Sequence, residues 1–532
     1  MSWAEPPVSG GSILADLAEE TIDGLTSQTD SDAGGRSFEV GEPTTSGAAL
    51  RGQIARAALA LVVRQGFVKI VGLAGVVVLA RILDPSTFGA FAIVSFVVAL
   101  FTLVGDMGLA AALIQQVQDP SERELSVAFT GQMLTLGLAA SLVWLLSPLV
   151  ISSFGLSGEI EIAAKLLAIG LIVSSLRTIP STRLERRLKF GQLAVAEGAQ
   201  VVVYQVVAVA LAVQGFGVVS FAIAAVGATA ANTLLVNWFG WWRPKWGYDR
   251  VALSRMLRFG APYQASAAIS FIKDAVNPLF VGVVIGAAAV GYVNWAIVVM
   301  GYPLLLVGVL NRLYFPAFAR LRSYPDVARQ FADTIIRWSV FAVVGLLVPY
   351  LLAPERWTRL IFGAHWLPGV PLLYWLAIAM PFAAAVSVGL AIMNAYGRSD
   401  QVLFFTILWM VGTWGLTVPA VLVFGWIGFG VANAFITLIA PFFLRRVQES
   451  IPIAVFAPIA RVIAAAMLAL SLSAALPVIF PSLAEGAGWA VVVTFGSVLY
   501  GALWIAFSAR DLAADRSTIL GIVNRRAIGA DS

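Results

Sequence analysis

Residues 64–116 read RQGFVKIVGLAGVVVLARILDPSTFGAFAIVSFVVALFTLVGDMGLAAALIQQ, and this stretch decides the fold. It contains two apolar runs joined by a short turn, and each run has the roughly 20 residues that a helix needs to cross a bilayer. Lys69 lies inside the first run. A lysine at that depth costs about 2.5 to 3.5 kcal/mol on insertion scales, so we predict that Lys69 faces a polar cavity on a substrate path.

The composition is that of a polytopic membrane protein. The chain has 532 residues, of which 60% are hydrophobic and 12% are charged. Because it contains no cysteine and a single histidine, it offers no thiolate nucleophile and no zinc cluster, and we expect no cofactor. The formal net charge is +5, but the basic residues lie in short loops, so no nucleic-acid partner is expected.

The apolar runs predict an all-α protein with fourteen transmembrane helices. Of the 34 basic residues, 26 fall in segments that this topology places in the cytoplasm, and the outer loops receive only Arg81, Arg356 and Arg359. This asymmetry favours a multi-pass protein of the inner (cytoplasmic) membrane with both termini in the cytoplasm. The predicted spans are residues 60–82, 87–107, 127–152, 160–177, 193–214, 217–240, 260–284, 288–312, 333–353, 369–394, 401–423, 426–444, 459–480 and 487–508.

The second half of the chain repeats the first. Phe67-Val68-Lys69 recurs as Phe271-Ile272-Lys273, Gly89 is matched by Gly291, and Gly215-Phe216-Gly217-Val218 recurs as Gly428-Phe429-Gly430-Val431. These matches predict two pseudo-symmetric six-helix lobes, related by an axis along the membrane normal, with substrate bound between them. The predicted units are an acidic, disordered cytoplasmic tail (1–55), an N-terminal lobe (56–245), a C-terminal lobe (246–448), a helix pair (449–510) and a cytoplasmic tail (511–532).

Two lysines are the predicted binding residues. Lys69 and Lys273 occupy equivalent places in the first helix of each lobe, so the repeat places them on opposite sides of the central cleft. A compact cation with three donors suits an anionic group such as a lipid pyrophosphate. Alternatively, each lysine pairs with a neighbouring acid. Asp274 is beside Lys273, but adjacent positions on a helix do not face each other, and Asp274 is included as a candidate cleft residue.

Span 7 is the predicted hinge. Asn277-Pro278 follows Lys273 by about one turn, and Pro262 precedes it. A proline inside a span frees a backbone carbonyl and allows a bend, which could either flex or remain a static kink. Arg64 lies at the inner end of the first span, where it could either contact the ligand or extend to the interface.

Other polar residues have simpler explanations. Asp106 and Glu197 lie near inner span ends, where caps and loop ion pairs are common. His365 lies in an outer loop beside Trp366 and is predicted to be structural. A basic cluster could recruit anionic headgroups, although topology alone explains it, and three tryptophans are typical of an interfacial belt. The cluster is Arg183, Arg186, Arg187 and Lys189, and the tryptophans are Trp241, Trp242 and Trp246.

Several motifs resemble the polysaccharide flippases (Wzx-like) of the multidrug, oligosaccharidyl-lipid and polysaccharide (MOP) exporter superfamily. They run in the family's order over roughly residues 55–445. They are LARILDPSTFGAFAIV (79–94), DMGLAAALIQ (106–115), LERRLKFGQLA (184–194), WRP (242–244), MLRFGAPY (256–263), GYVNWA (291–296), FPAFARL (315–321) and FGAHWLPGVPLL (362–373).

The resemblance implies a flippase, not an enzyme. Such a protein would move polyprenyl-pyrophosphate-linked oligosaccharide, or a related glycolipid, across the cytoplasmic membrane by alternating access, for cell-surface polysaccharide biosynthesis. It implies that Arg64, Lys69 and, through the repeat, Lys273 meet the pyrophosphate. The implied partners are this lipid-linked substrate, membrane lipids, and possible polysaccharide polymerase and glycosyltransferase enzymes. The acidic tail departs from the family pattern.

Two other functions remain open from the sequence. A multidrug or small-molecule antiporter of the same superfamily should place acids in the cleft, where this chain has mainly lysines. A membrane glycosyltransferase or polymerase would need carboxylates or arginines in sizeable outer loops. The outer loops here are mostly short and nearly uncharged.

Overall fold

The computed structural model describes residues 66, 68–105, 107–116, 118–154, 158–484 and 486–528, and those residues form helices and no strands. Arg64, Asp106 and the predicted tail 1–55 lie outside the described residues. Helix ends are called inner or outer according to the predicted topology.

The described residues of the predicted first lobe form eight helices, and within those residues each predicted span from 1 to 6 coincides with one helix or with a bent pair. The Leu83-Asp84 turn joins the first helix to the second. The helices are α1 (68–82), α2 (Pro85–Gly105), α3 (Leu109–Gln115), α4 (Glu122–Ser153), α5 (Gly158–Ser175), α6 (Thr178–Arg186), α7 (Phe190–Val213) and α8 (Gly217–Phe239).

The rest of the chain continues the pattern, with short 3₁₀ turns between several helices. Its α-helices are α9 (Arg250–Asp274), α10 (Gly282–Val284), α11 (Ala287–Leu321), α12 (Pro325–Leu352), α13 (Pro354–Ile361), α14 (Val370–Ala377), α15 (Met380–Ala395), α16 (Ser399–Phe424), α17 (Gly428–Ile436), α18 (Ile439–Gln448), α19 (Phe456–Ile479) and α20 (Gly488–Ile528). A π-helical segment, Val276–Val281, lies between α9 and α10.

In the described part of the chain, nine helical stretches are long and apolar enough to cross a membrane, or up to eleven when two bent pairs count as spans. The bent pairs are α5 with α6 and α14 with α15. One of the nine stretches, Ser399–Gln448, has 50 residues, more than twice what one crossing needs. Gly425 interrupts it at φ 61°, and a Cβ atom on Gly428 would overlap the backbone of Ala420, so the chain turns back on itself there. The count of fourteen spans stays a prediction.

The outer ends of the two lobes meet at a symmetric glycine contact. A Cβ atom on Gly89 would overlap the carbonyl oxygen of Ala287, and a Cβ atom on Gly291 would overlap that of Pro85. Pro85 and Gly89 in α2 are four residues apart, as are Ala287 and Gly291 in α11. Small residues at this spacing let two helix backbones approach closely. The match between Gly89 and Gly291 in the sequence is therefore also a contact across the two lobes.

Helix α9 packs on both lobes. Its inner half joins an apolar cluster with first-lobe residues such as Leu109 and Phe129, to which it contributes Ala252 and Met256. Asp249 caps the helix by accepting hydrogen bonds from the backbone N–H groups of residues 251 and 252, at 2.9 and 3.2 Å. Both bonds lower the pKa of the Asp249 carboxyl, and the bond from residue 252 has the larger effect. The inner part of α9 thus packs against the N-terminal lobe. The boundary predicted from the sequence, between residues 245 and 246, assigns the same helix to the C-terminal lobe.

The added helix pair packs against α12. The Phe341 ring stacks on Tyr500 and Trp504, with centroids 5.4 and 3.8 Å apart. At the inner end, Asp511 forms ion pairs with Arg461 and with Arg337, whose side chain is buried. Helices α19 and α20 are therefore attached to the C-terminal lobe by both aromatic and charged contacts.

Candidate functional site

The predicted hinge coincides with a change of helix type. Pro278 lies within the π-helical segment Val276–Val281, where the N–H of Gly282 reaches the carbonyl of Asn277, five residues back. Proline has no N–H to donate and its ring collides with the carbonyl four residues earlier in an α-helix, and a wider turn relieves that collision. Helix α9 passes through Pro262 without a break. Of the two prolines, Pro278 alone lies at a change of helix type.

Asn277 joins this segment to the next span. Its side chain is 4% exposed and its Nδ2 donates to Asn294 Oδ1 in α11 at 2.8 Å. Asn277 Oδ1 is buried without a hydrogen-bond partner in the described part of the protein. An unsatisfied buried acceptor is costly, so this segment holds a polar group that a rearrangement of span 7 could satisfy.

Lys273 and Asp274 form an ion pair, with Nζ 2.6 Å from Oδ1. The expectation that neighbouring positions keep these two side chains apart is wrong. The pair lies on the last turn of α9, just before the π segment, and the long lysine side chain contacts a carboxylate that is 70% exposed. Lys273 thus has a partner in this structure, as in the alternative interpretation that each lysine pairs with a neighbouring acid.

Lys69 lies on an exposed part of α1. Further along that helix, Gly75 is in close contact with Gln205 of α7, whose Nε2 donates to Gly72 O at 3.2 Å. No hydrogen bond or ion pair between described residues joins Lys69 to Lys273 or Asp274. The structure therefore places the two lysines on the predicted helices without bringing them into contact.

A second set of contacts joins the outer ends of the lobes. The sequence analysis predicted only that the outer loop with His365 is structural. The carbonyl oxygen of Ala80, at the end of α1, receives hydrogen bonds from Trp366 Nε1 at 2.8 Å and from the His365 ring at 2.7 Å. Arg81 donates to the carbonyl oxygens of Leu360 and of Ile361. These contacts all join the first lobe to the second.

Trp366→Phe is expected to weaken this outer contact. The change keeps an aromatic ring against Phe88 and Trp295 but removes the donor to Ala80, a bond worth about 0.5–1.5 kcal/mol. The ratio of closed to open protein should fall by about threefold to tenfold, as read from the distribution of distances between spin labels at Ser86→Cys and Ala288→Cys. Trp357→Phe is the matched control, because its Nε1 bonds to Pro349 O within the second lobe. Equal closure in both variants would contradict this role.

Two further expectations are corrected. Trp242 is 4% exposed and donates to Glu122 Oε2, so it belongs to the core, whereas Trp241 and Trp246 are each 68% exposed. In the basic cluster, Arg183 donates to the carbonyl of residue 241, and Arg186 donates to Asp119 and to four carbonyl oxygens of residues 113–118. These two arginines hold inner loops together and leave Arg187 and Lys189 exposed.

Sequence reasoning missed Trp414. Its Nε1 donates to the carbonyl oxygen of Ile272 at 2.8 Å, one turn before the π segment. This bond connects α16 to the part of α9 that carries Lys273. No sequence signal distinguishes Trp414 from the other tryptophans of the apolar runs.

The long apolar helices, the contact between the outer ends of α2 and α11 and the interrupted seventh span describe a polytopic helical membrane protein. A family described as "Polysaccharide biosynthesis protein" matches residues 78–371, more than half of the chain. The chain belongs to this family.

Named relatives carry related descriptions. The chain is 25% identical over 308 residues to the teichuronic acid biosynthesis protein TuaB of Bacillus subtilis (strain 168), covering 57% of this chain and 63% of that protein. It is 25% identical over 318 residues to the lipopolysaccharide biosynthesis protein WzxC of Escherichia coli (strain K12), covering 58% and 63%. It is also 24% identical over 350 residues to the succinoglycan biosynthesis transport protein ExoT of Rhizobium meliloti (strain 1021), covering 64% and 68%. The match to the first two relatives thus spans less than two thirds of their length.

Two solved structures share the fold. The lipid II flippase MurJ, in an inward closed conformation, aligns with a TM-score of 0.71 at 16% identity over 86% of this chain and 100% of its own. A multidrug resistance MATE family transporter in an inward-facing conformation aligns with a TM-score of 0.53 at 15% identity, over 72% and 95%. At these identities the likeness concerns the fold alone.

Proposed function

We propose that this protein is a flippase that moves a polyprenyl-pyrophosphate-linked oligosaccharide, or a related glycolipid, from the inner to the outer leaflet for cell-surface polysaccharide biosynthesis. Family membership and the names of three relatives support the substrate class. On this proposal the protein is a transporter of the cytoplasmic membrane with both termini inside, its glycolipid comes from glycosyltransferases, and a polymerase uses it after transport.

The contact between the outer ends of α2 and α11 carries the proposal. Alternating access requires two rigid lobes that close one side of a central cleft while the other can open. Here the backbones of the two lobes touch at Gly89 and Gly291, and the bonds to Ala80 and from Arg81 add to the closure. Backbone contacts at glycines involve few side chains, so they can separate and reform without repacking a core.

Lys69 and Lys273 remain the proposed anion-binding residues. In the structure Lys273 is paired with Asp274, and a pyrophosphate carries more negative charge than one carboxylate. We propose that the bound pyrophosphate displaces Asp274 from Lys273. Because that pair adjoins the π segment, ligand binding would act directly on the hinge formed by Asn277 and Pro278, with Pro262 a secondary position and Arg64 an additional cation.

Trp414→Phe is expected to loosen this hinge. The change leaves the Ile272 carbonyl without its side-chain donor, a loss of about 0.5–1.5 kcal/mol, so backbone amides of residues 274–281 should exchange hydrogen about threefold to tenfold faster. Mass spectrometry of exchange in nanodiscs measures this. Trp409→Phe, on the same helix with its ring against Phe405 and Phe443, is the control. Unchanged exchange in Trp414→Phe would contradict the role of that bond.

Deletion of the chromosomal copy in the organism that carries it tests the proposed function in cells. We expect loss of a surface polysaccharide and accumulation of its lipid-linked precursor on the inner leaflet. Both defects should be corrected by the wild type and by Lys165→Gln, whose lysine is paired with Glu161 on the same helix, and not by the Lys69→Gln, Lys273→Gln double variant. Normal polysaccharide with increased sensitivity to cationic drugs would favour the antiporter instead.

A further inference from the structure

The linker between α8 and α9, residues 241–249, contains no helix and lies along the inner end of the first lobe. A Cβ atom on Gly247 would come within 2.8 Å of the Ser126 side chain, so the linker backbone packs closely on α4. Four polar contacts with α4 and α6 hold it there. They are Arg183 Nη1 to the Trp241 carbonyl oxygen at 3.1 Å, Trp242 Nε1 to Glu122 Oε2 at 3.1 Å, the Gly247 N–H to Thr130 Oγ1 at 2.9 Å and Arg123 Nε to Asp249 Oδ2 at 3.0 Å. Side chains that point away from the first lobe therefore form a surface on a fixed backbone.

Large aromatic side chains are exposed on this surface. Trp241 and Trp246 are each 68% exposed, and Tyr248 is 75% exposed. Trp238, in the last turn of α8, is 82% exposed. Tryptophan and tyrosine combine an apolar ring with a polar tip, so they favour the zone where hydrocarbon meets water. Because the membrane-length helix α8 ends at Phe239, the linker lies at that level of the bilayer.

Three cations lie among these rings. Arg243, Lys245 and Arg250, the first residue of α9, are exposed, and none of them forms an ion pair with another described residue. The acids on the neighbouring helices are engaged elsewhere or line a cavity in the same lobe. The engaged acids are Asp119 with Arg186, Glu122 with Trp242, Glu124 with Arg255 and Asp249 with Arg123, and the cavity acids are Glu185 and Glu197, beside Arg177. Two further exposed cations, Arg187 and Lys189, follow α6 and add positive charge to the inner end of the lobe. The linker surface therefore carries positive charge that no described acid compensates.

This arrangement is more than topology requires. The preference for cations on the inner side explains how many lie there, but not why they alternate with exposed rings on a fixed backbone. The basic cluster at the end of α6 differs, because Arg183 and Arg186 donate to carbonyl oxygens and to Asp119 within the protein. Lipid phosphates suit both features of the linker, since rings that enter the headgroup region lie beside them. An acidic cytoplasmic protein would suit the cations, but it would have to reach them at the level of the headgroups.

We propose that the linker binds the phosphate groups of anionic phospholipids in the inner leaflet. The cations donate to phosphate oxygens, and the rings beside them enter the boundary between headgroups and acyl chains. The binding residues are Trp241, Arg243, Lys245, Trp246, Tyr248 and Arg250. Because the linker is fastened to α4 and continues into α9, bound lipid holds the inner end of the first lobe at the membrane surface. Any consequence for transport rests on the proposed function, but lipid binding itself does not.

Fluorescence quenching by labelled lipids tests this site without a transport assay. The chain has no cysteine, so Pro244→Cys, an exposed position in the linker, accepts a single fluorescent label. The full-length protein is placed in nanodiscs of phosphatidylcholine that contain increasing fractions of a lipid with a nitroxide near the top of one acyl chain. Each Lys or Arg near an anionic membrane surface strengthens the attraction by about fivefold. Nitroxide phosphatidylglycerol should therefore reach half-maximal quenching at a fraction about tenfold lower, or less, than nitroxide phosphatidylcholine does. This preference should shrink in about 1 M salt, which screens the charges.

Two triple variants assign the preference to the linker. The variant with Arg243→Gln, Lys245→Gln and Arg250→Gln should lose it, so that both lipids quench alike. The matched control with Arg398→Gln, Arg445→Gln and Arg510→Gln removes the same charge from other inner helix ends and should keep it. Lys245→Gln alone should weaken the preference by about fivefold, which decides the matter even if the first triple variant does not fold.

Three outcomes would overturn the proposal. In the first, neither nitroxide lipid quenches the label, as a site for an acidic cytoplasmic protein would predict. In the second, both lipids quench the otherwise unchanged protein at the same fraction. In the third, the two triple variants have the same lipid preference, which would mean that only the net charge of the protein matters.

Discussion

Gly291→Ala is expected to hold the outer ends of the two lobes apart and to lower transport by about fivefold to more than a hundredfold. The added methyl group would overlap the carbonyl oxygen of Pro85, which is backbone and cannot move without shifting α2. Overpacking of this kind costs about 1–3 kcal/mol, and each 1.4 kcal/mol corresponds to tenfold in an equilibrium. The ratio of closed to open protein should fall by the corresponding factor.

Gly301→Ala is the matched control for this prediction. It makes the same change in the same helix, at a glycine whose Cβ would meet no atom within 4 Å. Because the chain contains no cysteine, spin labels at Ser86→Cys and Ala288→Cys, both exposed, report the outer separation alone. The interpretation fails if Gly291→Ala and Gly301→Ala give the same label distances and the same transport rate.

The Lys69→Gln, Lys273→Gln double variant is expected to lose most binding of pyrophosphate-linked substrate, with an affinity decrease of about a hundredfold. Removing one partner of a charge pair at an interface costs about 2–5 kcal/mol when the pair is buried, and less where water reaches it. Lys273 is 35% exposed, so its contribution to the binding free energy should lie at the low end of this range. Binding of a polyprenyl pyrophosphate to the purified variant in nanodiscs measures this directly.

Two controls separate charge from structure in that experiment. Lys165→Gln removes a lysine of the first lobe that is paired with Glu161 and packs on Trp144, so it should bind as the wild type does. Asp274→Asn frees Lys273 and should tighten binding by up to about fivefold. Unchanged affinity in the double variant would place the anion site elsewhere.

Much of the fold follows from the sequence because hydrophobic length and charge placement are properties of single segments. Within the described residues each predicted span coincides with helix, and the sequence repeat matched Gly89 with Gly291, which the structure places in contact across the two halves of the chain. The repeat placed these residues at equivalent positions, and a crossing about a pseudo-twofold axis brings equivalent positions together. The hydrophobic pattern and the internal repeat were together sufficient to predict the helices and the pairing of Gly89 with Gly291.

The site was less predictable because it depends on side-chain directions between helices. The Lys273–Asp274 pair contradicts a rule for regular helices, and it occurs where α9 gives way to a π-helical segment. Trp414 reaches the Ile272 carbonyl from a different helix, and Trp242 enters the core instead of an interfacial belt. No spacing in the sequence encodes these contacts.

Leaflet translocation of a polyprenyl-pyrophosphate-linked oligosaccharide in vesicles that contain the purified wild-type protein tests the central claim most directly. A membrane-impermeant enzyme that cleaves the exposed glycan reports how much substrate has crossed. We predict that wild-type vesicles expose the glycan at least about tenfold faster than protein-free vesicles, and that Gly291→Ala vesicles expose it more slowly than wild-type vesicles. Equal rates in wild-type and protein-free vesicles, together with uptake of a cationic drug by the wild type, would contradict the flippase assignment.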